Sequence, residues 1–196
     1  MPTETPKPKR RPRADSLRNR ELLLDAAREV FSAGGPGASL DAVARKAGVG
    51  IGTLYRHFPT REALFQAVYK REVDDLVALA QALADDPDPV LALRRWMHAS
   101  IRMVATKRGM LTALSPTFDK STDFFAGTSA SMMQAMSDLM EKGVAANRQR
   151  DDIAPAEMMR AFLGICYMPE QPGWQDTVVR LLDVFVDGLA TRPPEN

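Results

Sequence analysis

The chain has 196 residues, 45% of them hydrophobic, 26% charged, with a formal net charge of +1. That composition suits one globular domain or two small ones and argues against a disordered or fibrous chain. No run of about 18 apolar residues occurs, so no membrane span is expected, and the N-terminus lacks the apolar core of a secretory signal. A single cysteine, Cys166, leaves no internal disulfide and points to a reducing, cytoplasmic setting.

The small net charge hides an asymmetry. Residues 1–72 carry 14 Lys/Arg against 8 Asp/Glu, and the remainder carries 12 against 17. A basic N-terminal third on an acidic remainder is the footprint of a nucleic-acid module joined to a different kind of domain. Residues 1–15 set Lys7, Lys9, Arg10, Arg11 and Arg13 among four prolines. Charge repulsion and missing backbone donors predict a disordered arm. It is read either as a minor-groove or phosphate tracker or as a solubilising tail.

The spacing then predicts a first helix over 16–34, with Leu22, Leu23, Ala26, Ala27, Val30 and Phe31 as its apolar stripe. Gly34-Gly-Pro-Gly37 ends it. A second helix spans 40–47, with Ser39 as N-cap and Leu40, Val43, Ala44 and Ala47 on one face. Gly48 stands where a residue past the helix end adopts positive φ. A third helix covers 51–58 and stops at Pro59. Two short helices across a tight glycine turn form a helix-turn-helix, whose second helix can lie in a major groove. A long helix over 61–84, capped by Thr60, links this head to the rest, and Asp85-Asp-Pro-Asp-Pro89 breaks it. Helices are expected at 89–106, 108–115, 119–148, 154–168 and 173–190, with no strand pattern and no repeat. The fold class is therefore all-α: a three-helix head over 16–72 after the arm 1–15, and a larger helical domain over 73–196, about nine helices in all.

Two stretches carry a family resemblance. Ala47-Gly-Val-Gly-Ile-Gly-Thr-Leu-Tyr-Arg-His-Phe-Pro-Thr-Arg-Glu-Ala-Leu64 resembles the recognition segment of TetR-family transcriptional regulators. Arg20-Glu-Leu-Leu-Leu-Asp-Ala-Ala-Arg-Glu-Val-Phe31 is similar to that family's first helix. The match covers roughly residues 18–70. Beyond about residue 75 only a compatible helical pattern remains.

Side-chain chemistry on the head points to DNA. Ile51 suits a thymine methyl and Arg56 the N7/O6 edge of guanine. Thr53 and Tyr55 are hydroxyl donors for phosphate oxygens, His57 and Arg61 add further donors, and Gly52 permits close approach. Arg45 and Lys46 lie on the outer face of the first motif helix as phosphate partners, and Ser39 is counted with this DNA-facing set. The resemblance implies the same role for Thr53, Tyr55, His57 and Arg61. Leu54 and Phe58 are expected to pack inward.

One such head reads few base pairs, so a homodimer on a palindromic operator is expected. The last two helices are the expected interface, through Met159, Phe162, Leu163, Val178, Leu181, Leu182 and Phe185, as a four-helix bundle across the axis. Their alternative is an intramolecular core. The resemblance implies the same dimer.

All ten methionines other than Met1 follow residue 96. Trp96, Met103, Met110, Phe118, Phe124, Phe125, Met132, Met136 and Tyr167 are candidates to wall a ligand pocket, or else ordinary core. The resemblance implies a pocket for a small, largely apolar effector; by their charge, Lys107, Arg108 or His98 are candidates to orient an anionic group. No catalytic constellation, metal-ligand spacing or cofactor loop is found. The expected function is a DNA-binding regulator, a repressor released by its ligand. The rivals are a ligand-independent DNA-binding protein whose body binds a protein partner, and an enzyme using the apolar pocket.

Overall fold

The computed structural model describes residues 12–33, 38–113, 123–168 and 173–191. The chain order is α1 (Pro12–Ala33), α2 (Leu40–Lys46), α3 (Ile51–His57), α4 (Arg61–Leu83), α5 (Pro89–Ala113), α6 (Asp123–Ala145), α7 (Pro155–Cys166) and α8 (Trp174–Leu189). Among the described residues all other pairing is one isolated antiparallel bridge between Gln149 and Ala190. The all-α expectation holds, with eight helices among the described residues where about nine were expected.

Three boundaries differ, each for a local reason. Helix α1 begins at Pro12, inside the segment expected to be a disordered arm. Proline's fixed φ suits a first helical position, and Asp15 in the first turn complements the helix dipole. Residues 89–106 and 108–115 are not two helices: α5 runs unbroken from Pro89 to Ala113. Gly109 costs about 1 kcal/mol in a helix interior but does not end it without a proline or cap nearby. Helix α6 stops at Ala145 rather than 148 because Asn147 takes a left-handed conformation, φ 54°. Gly143 makes that return possible, since a Cβ there would stand 2.3 Å from Cδ of the buried Gln149.

Helix starts follow their caps. The Asp88 carboxylate accepts from the backbone N–H groups of Val90 and Leu91, both at 3.1 Å, with Pro89 opening α5. The Thr60 hydroxyl accepts from Ala63 N–H at 3.1 Å at the start of α4.

Among the described residues one core runs from the N-terminal helices into the rest of the chain. In the head, Leu23, Ala27, Phe31, Val43, Leu54 and Leu64 are buried, and Phe31 meets Phe65 edge-on at 4.6 Å. On α1 the inward residue is Leu24; the expected Leu22 is 39% exposed. Helix α1 packs along α5 and α4, α4 against α5 and α6, and α5 against α8. Ion pairs edge these seams. Arg71 of α4 reaches Glu21 and Asp25 of α1 at 3.2 and 3.1 Å. The buried Glu72 carboxylate faces Arg28 at 3.7 Å; burial raises its pKa and Arg28 and Arg102 oppose that rise. Across the body, Arg94 of α5 pairs with Asp183 and Asp187 of α8, and His98 Nε2 lies 2.8 Å from Asp183.

Candidate nucleic-acid interface

The second motif helix owes its exposure to how the first is held. The Ser39 hydroxyl accepts from Ala42 N–H at 3.2 Å, which starts α2. Val43 and Ala44 are buried beneath it, and Leu54 of α3 and Phe58 at its C-terminal end are buried as expected. Gly48 closes the turn with φ +69°, a conformation that costs glycine little. With Leu54 and Phe58 pinned inward, the helical period turns Ile51, Gly52, Tyr55 and Arg56 outward. Ile51 is 38% and Tyr55 48% exposed. Arg56 and Gly52 are exposed, and Thr53 and His57 are half-buried at the flank. Among the described residues nothing hydrogen-bonds the side chains of Thr53, Tyr55, Arg56 or Arg45. A methyl-bearing group, two hydroxyls and a guanidinium thus share one rim, the donor set that base edges and phosphates require.

Three of the ten expected DNA-facing residues are engaged within the fold. Ser39 is spent on its cap. Lys46 Nζ is 2.7 Å from a carboxylate oxygen of Glu29, and this hydrogen bond holds the Glu29 carboxyl below the usual range. Arg61 is turned away from the rim. Its Nη2 donates to the Ala38 carbonyl at 2.8 Å, its guanidinium lies 5.6 Å from the centre of the Phe65 ring, and its Nε is buried without an acceptor. Arg61 therefore braces the start of α4 against the segment leading into α2. Removing a cation that neutralises a phosphate lowers the slope of log affinity against log salt by about 1. Arg61→Gln is expected to leave that slope unchanged in a salt titration of DNA binding. A slope reduced by about 1 would restore Arg61 to the DNA-facing set.

Two further residues shape this part of the head. Gly50 caps α3 with φ −70° and ψ 148°. Arg20 of α1 stacks 5.5 Å over Phe58, fixing the end of α3. Both stand within the two stretches that carry the family resemblance.

In the body, the residues expected to wall a pocket are mostly packed. Trp96 and Met136 are fully buried, and Met103, Met110 and Met132 nearly so. Trp96 Nε1 donates to the Leu76 carbonyl at 2.9 Å, locking α5 to α4. Tyr167 is 44% exposed at the end of α7. Phe118 and the side chains of Phe124 and Phe125 lie outside the described residues. Tyr69 and Trp174, missed at the sequence level, stand under Lys107 and Arg108 with ring contacts at 5.2 and 4.8 Å. His98 faces Asp183 on the α5–α8 seam, away from that pair.

The expected interface residues divide. Phe162, Val178 and Leu182 are at most 1% exposed and belong to the protomer's own core, which corrects their assignment to an intersubunit face. Each sits on the inner stripe of an amphipathic helix. Leu163 and Leu181 are 39% and 41% exposed, and Met159 and Phe185 are half-buried. Leu181, Val184 and Phe185 join Ile153, Ile165 and Leu189 around an apolar groove of about 420 Å³. Among the described residues no group of three His, Cys, Asp or Glu could hold a metal ion, and no helix is long and apolar enough to cross a membrane. The buried Cys166 thiol is pushed up to about 12 by burial.

Comparison with known proteins places this geometry. Residues 23–68 match the family described as bacterial regulatory proteins, tetR family, and residues 88–191 match the transcriptional regulator SbtR-like C-terminal domain. The TetR transcriptional regulator SCO0520 from Streptomyces coelicolor, a solved structure, is 38% identical over 89% of this chain and 99% of that one, with a TM-score of 0.77. A TetR transcription regulatory protein from Mycobacterium vanbaalenii is 32% identical over 91% of this chain and 99% of that one, with a TM-score of 0.69. The regulator TtgW of Pseudomonas putida is 47% identical over 60 residues, 30% of this chain and 45% of that protein, so the match spans less than half of that curated relative. With both its head and its body matched, the chain belongs to the TetR family of bacterial transcriptional regulators.

Proposed function

We propose that this chain is a homodimeric, sequence-specific DNA-binding repressor, released from a palindromic operator by a small, largely apolar effector held in the body. The observation that carries the DNA role is the outward rim of α3. Ile51, Tyr55 and Arg56 are exposed there, with no hydrogen bond or ion pair from their side chains among the described residues, on the basic third of the chain. In this reading the head is residues 12–72, with residues 1–11 as a basic arm, and residues 73–196 sense and dimerise in the cytoplasm.

The switch runs through α4. It is one helix from Arg61 to Leu83, buried against the head at Leu64 and Phe65 and against the body at Val73 and Leu76. A shift of α5 and α6 around an effector pivots α4, and Arg61 carries the pivot to the approach of α2. The recognition helices then lose the spacing of successive major grooves, about 34 Å. Continuous α5 offers no hinge at Lys107, so α5 moves as a whole in this mechanism. A differential affinity of a few kcal/mol suffices to shift occupancy.

The dimer forms through the α7–α8 groove, with Met159, Leu163, Leu181 and Phe185 joined by Val184. Val184 is 71% exposed in the protomer. Val184→Asp places a charge in an apolar contact and is expected to yield a folded monomer by light scattering, with unchanged helicity. A persistent dimer would move the interface elsewhere.

The reading as a whole is tested by gel shift on the DNA flanking the protein's own gene. A salt-dependent, sequence-selective complex that dissociates with an apolar effector is expected. Equal binding to unrelated DNA would overturn the assignment. The full burial of Trp96 and Met136 supports a second reading, a ligand-independent regulator with a protein partner. That reading is favoured if no small molecule releases the complex.

A further inference from the structure

Among the described residues one carboxylate is buried, that of Glu72 on α4, 6% exposed. It stands where three helices meet, since α1 packs against α4 and α5, and α4 against α5. Arg28 Nε on α1 lies 3.7 Å from its Oε1, an oxygen that is buried and accepts no hydrogen bond. Burial raises the Glu72 carboxyl above the usual carboxylate value. Arg28 opposes that rise, Arg102 of α5 opposes it too, Asp75 on α4 adds to it, and Arg71 on α4 opposes it. Around this point Arg71 ties α4 to Glu21 and Asp25 of α1, and Arg28 has Asp25 at 4.0 Å. The gap between α1 and α4 here, with Leu24 and Val68 among its walls, has no room for a water.

The two outer cations belong to different parts of the molecule. Arg28 is on the first helix of the head, one turn before Phe31, whose ring meets Phe65. Arg102 is exposed on α5, the helix that carries Trp96 and Met103 into the body core. A carboxylate attracted to both responds to their positions, because a buried charge is screened much less by salt than an exposed one. Such a pair adds little net stability over an apolar contact; what it supplies is a defined register between the elements. Once protonated, Glu72 attracts neither cation, and α1 is held to α4 by apolar contact and by the Arg71 pairs.

We propose that Glu72 is a positioning residue: its carboxylate, held between Arg28 of the head and Arg102 of the body, fixes how the head sits on the body, so that operator selectivity depends on its charge and falls when it is protonated. This rests on the reading of the chain as a dimeric DNA-binding repressor and adds the residue that sets its geometry. Selective binding needs both heads at the spacing of the grooves, whereas phosphate contacts to unrelated DNA do not. Protonation therefore lowers selectivity without lowering general affinity, and the positive charge that it adds favours DNA of any sequence.

Anisotropy titrations of the full-length protein test it, with the operator fragment and with an unrelated duplex, from about pH 8 down to about pH 5.5. The ratio of the two affinities is expected to fall at least about tenfold toward acid, the equivalent of one pKa unit between the selective and unselective complexes. Glu72→Gln is expected to show the low ratio at every pH with unchanged helicity, since Arg28 keeps Asp25 beside it. It carries the same two histidines as the wild type, so the difference between the two proteins isolates Glu72. Arg102→Met, an exposed change outside the head, is expected to weaken the response. Thermal denaturation gives a check without DNA. A carboxyl raised in the folded state contributes stability at acid pH that is lost as pH rises through its folded value, so the wild type is expected to gain on Glu72→Gln as pH falls. A ratio that ignores pH, a fall that persists in Glu72→Gln, a full response in Arg102→Met, or a stability difference that ignores pH would each overturn the proposal. No selective complex at any pH would sink the repressor reading itself, whereas a selective complex with a flat ratio sinks only the role of Glu72.

Discussion

Replacing Tyr55 and His57 together by alanine is expected to lower affinity for the operator by about 10³-fold. Tyr55 is 48% exposed on α3 and His57 is half-buried beside it on the flank. Neither side chain hydrogen-bonds within the protein among the described residues, so both are available to DNA. A neutral or weakly charged hydrogen bond contributes about 1 kcal/mol net, and two residues in each of two subunits make four such contacts. The protein itself is expected to stay intact, because exposed positions away from caps and core cost within about 0.5 kcal/mol. The measurement is a pair of titrations, with the operator and with unrelated DNA, beside light scattering for the dimer. Unchanged operator affinity with the dimer preserved would remove α3 as the reading helix.

Replacing Trp96 by alanine is expected to cost about 4 kcal/mol of stability, a large effect for one residue. The side chain is fully buried between α4 and α5, and its Nε1–H is committed to the Leu76 carbonyl at 2.9 Å. Truncation loses the transfer free energy of the indole, opens a cavity and removes the lock between the two helices. Native stability is about 5–15 kcal/mol, so a large part of it goes. For a chain of this size the melting temperature is expected to fall by about 10 °C. Thermal denaturation followed by circular dichroism reads it directly. A fall of a degree or two would mean that the indole lines a space able to collapse or fill, as a pocket wall would. Trp96→Phe, which keeps most of the volume, is expected to restore more than half of the loss.

These two residues show how unevenly the sequence speaks. Tyr55 sits in a short segment where glycine punctuation, period and residue type all agree, so its exposure follows once Leu54 and Phe58 are assigned to the core. Trp96 sits in a long helix whose apolar residues look alike at helical spacing. Nothing in that pattern separates a residue that walls a pocket from one that locks two helices. The same ambiguity placed Phe162, Val178 and Leu182 at the subunit interface, although each is buried in its own protomer. An amphipathic stripe says which face is apolar, not what covers it.

Arg61 marks the other boundary of what a sequence can say. Its place beside a helix-turn-helix and its positive charge suit a phosphate partner as well as a brace. The carbonyl of Ala38, 23 residues earlier, decides between them, and that proximity exists only in the folded chain. Lys107 is a similar case. A lysine in a helix is ordinarily solvated, whereas this one is half-buried, with its Nζ 5.2 Å from the ring of Tyr69 on another helix and its pKa lowered by desolvation.

The sequence by itself determined the all-α class, the caps at Ser39 and Thr60, the glycine turn at Gly48 and the outward face of α3. Those are local matters, set within a few residues by backbone sterics, capping and helical period. The tertiary structure alone decided that α5 is continuous, that Arg61 braces instead of reaching outward, which half of the α7–α8 surface stays free, and that two cations meet aromatic rings inside the body. Each of these depends on groups far apart in the chain, whose approach is set by the packing of whole helices and leaves no mark at any fixed spacing.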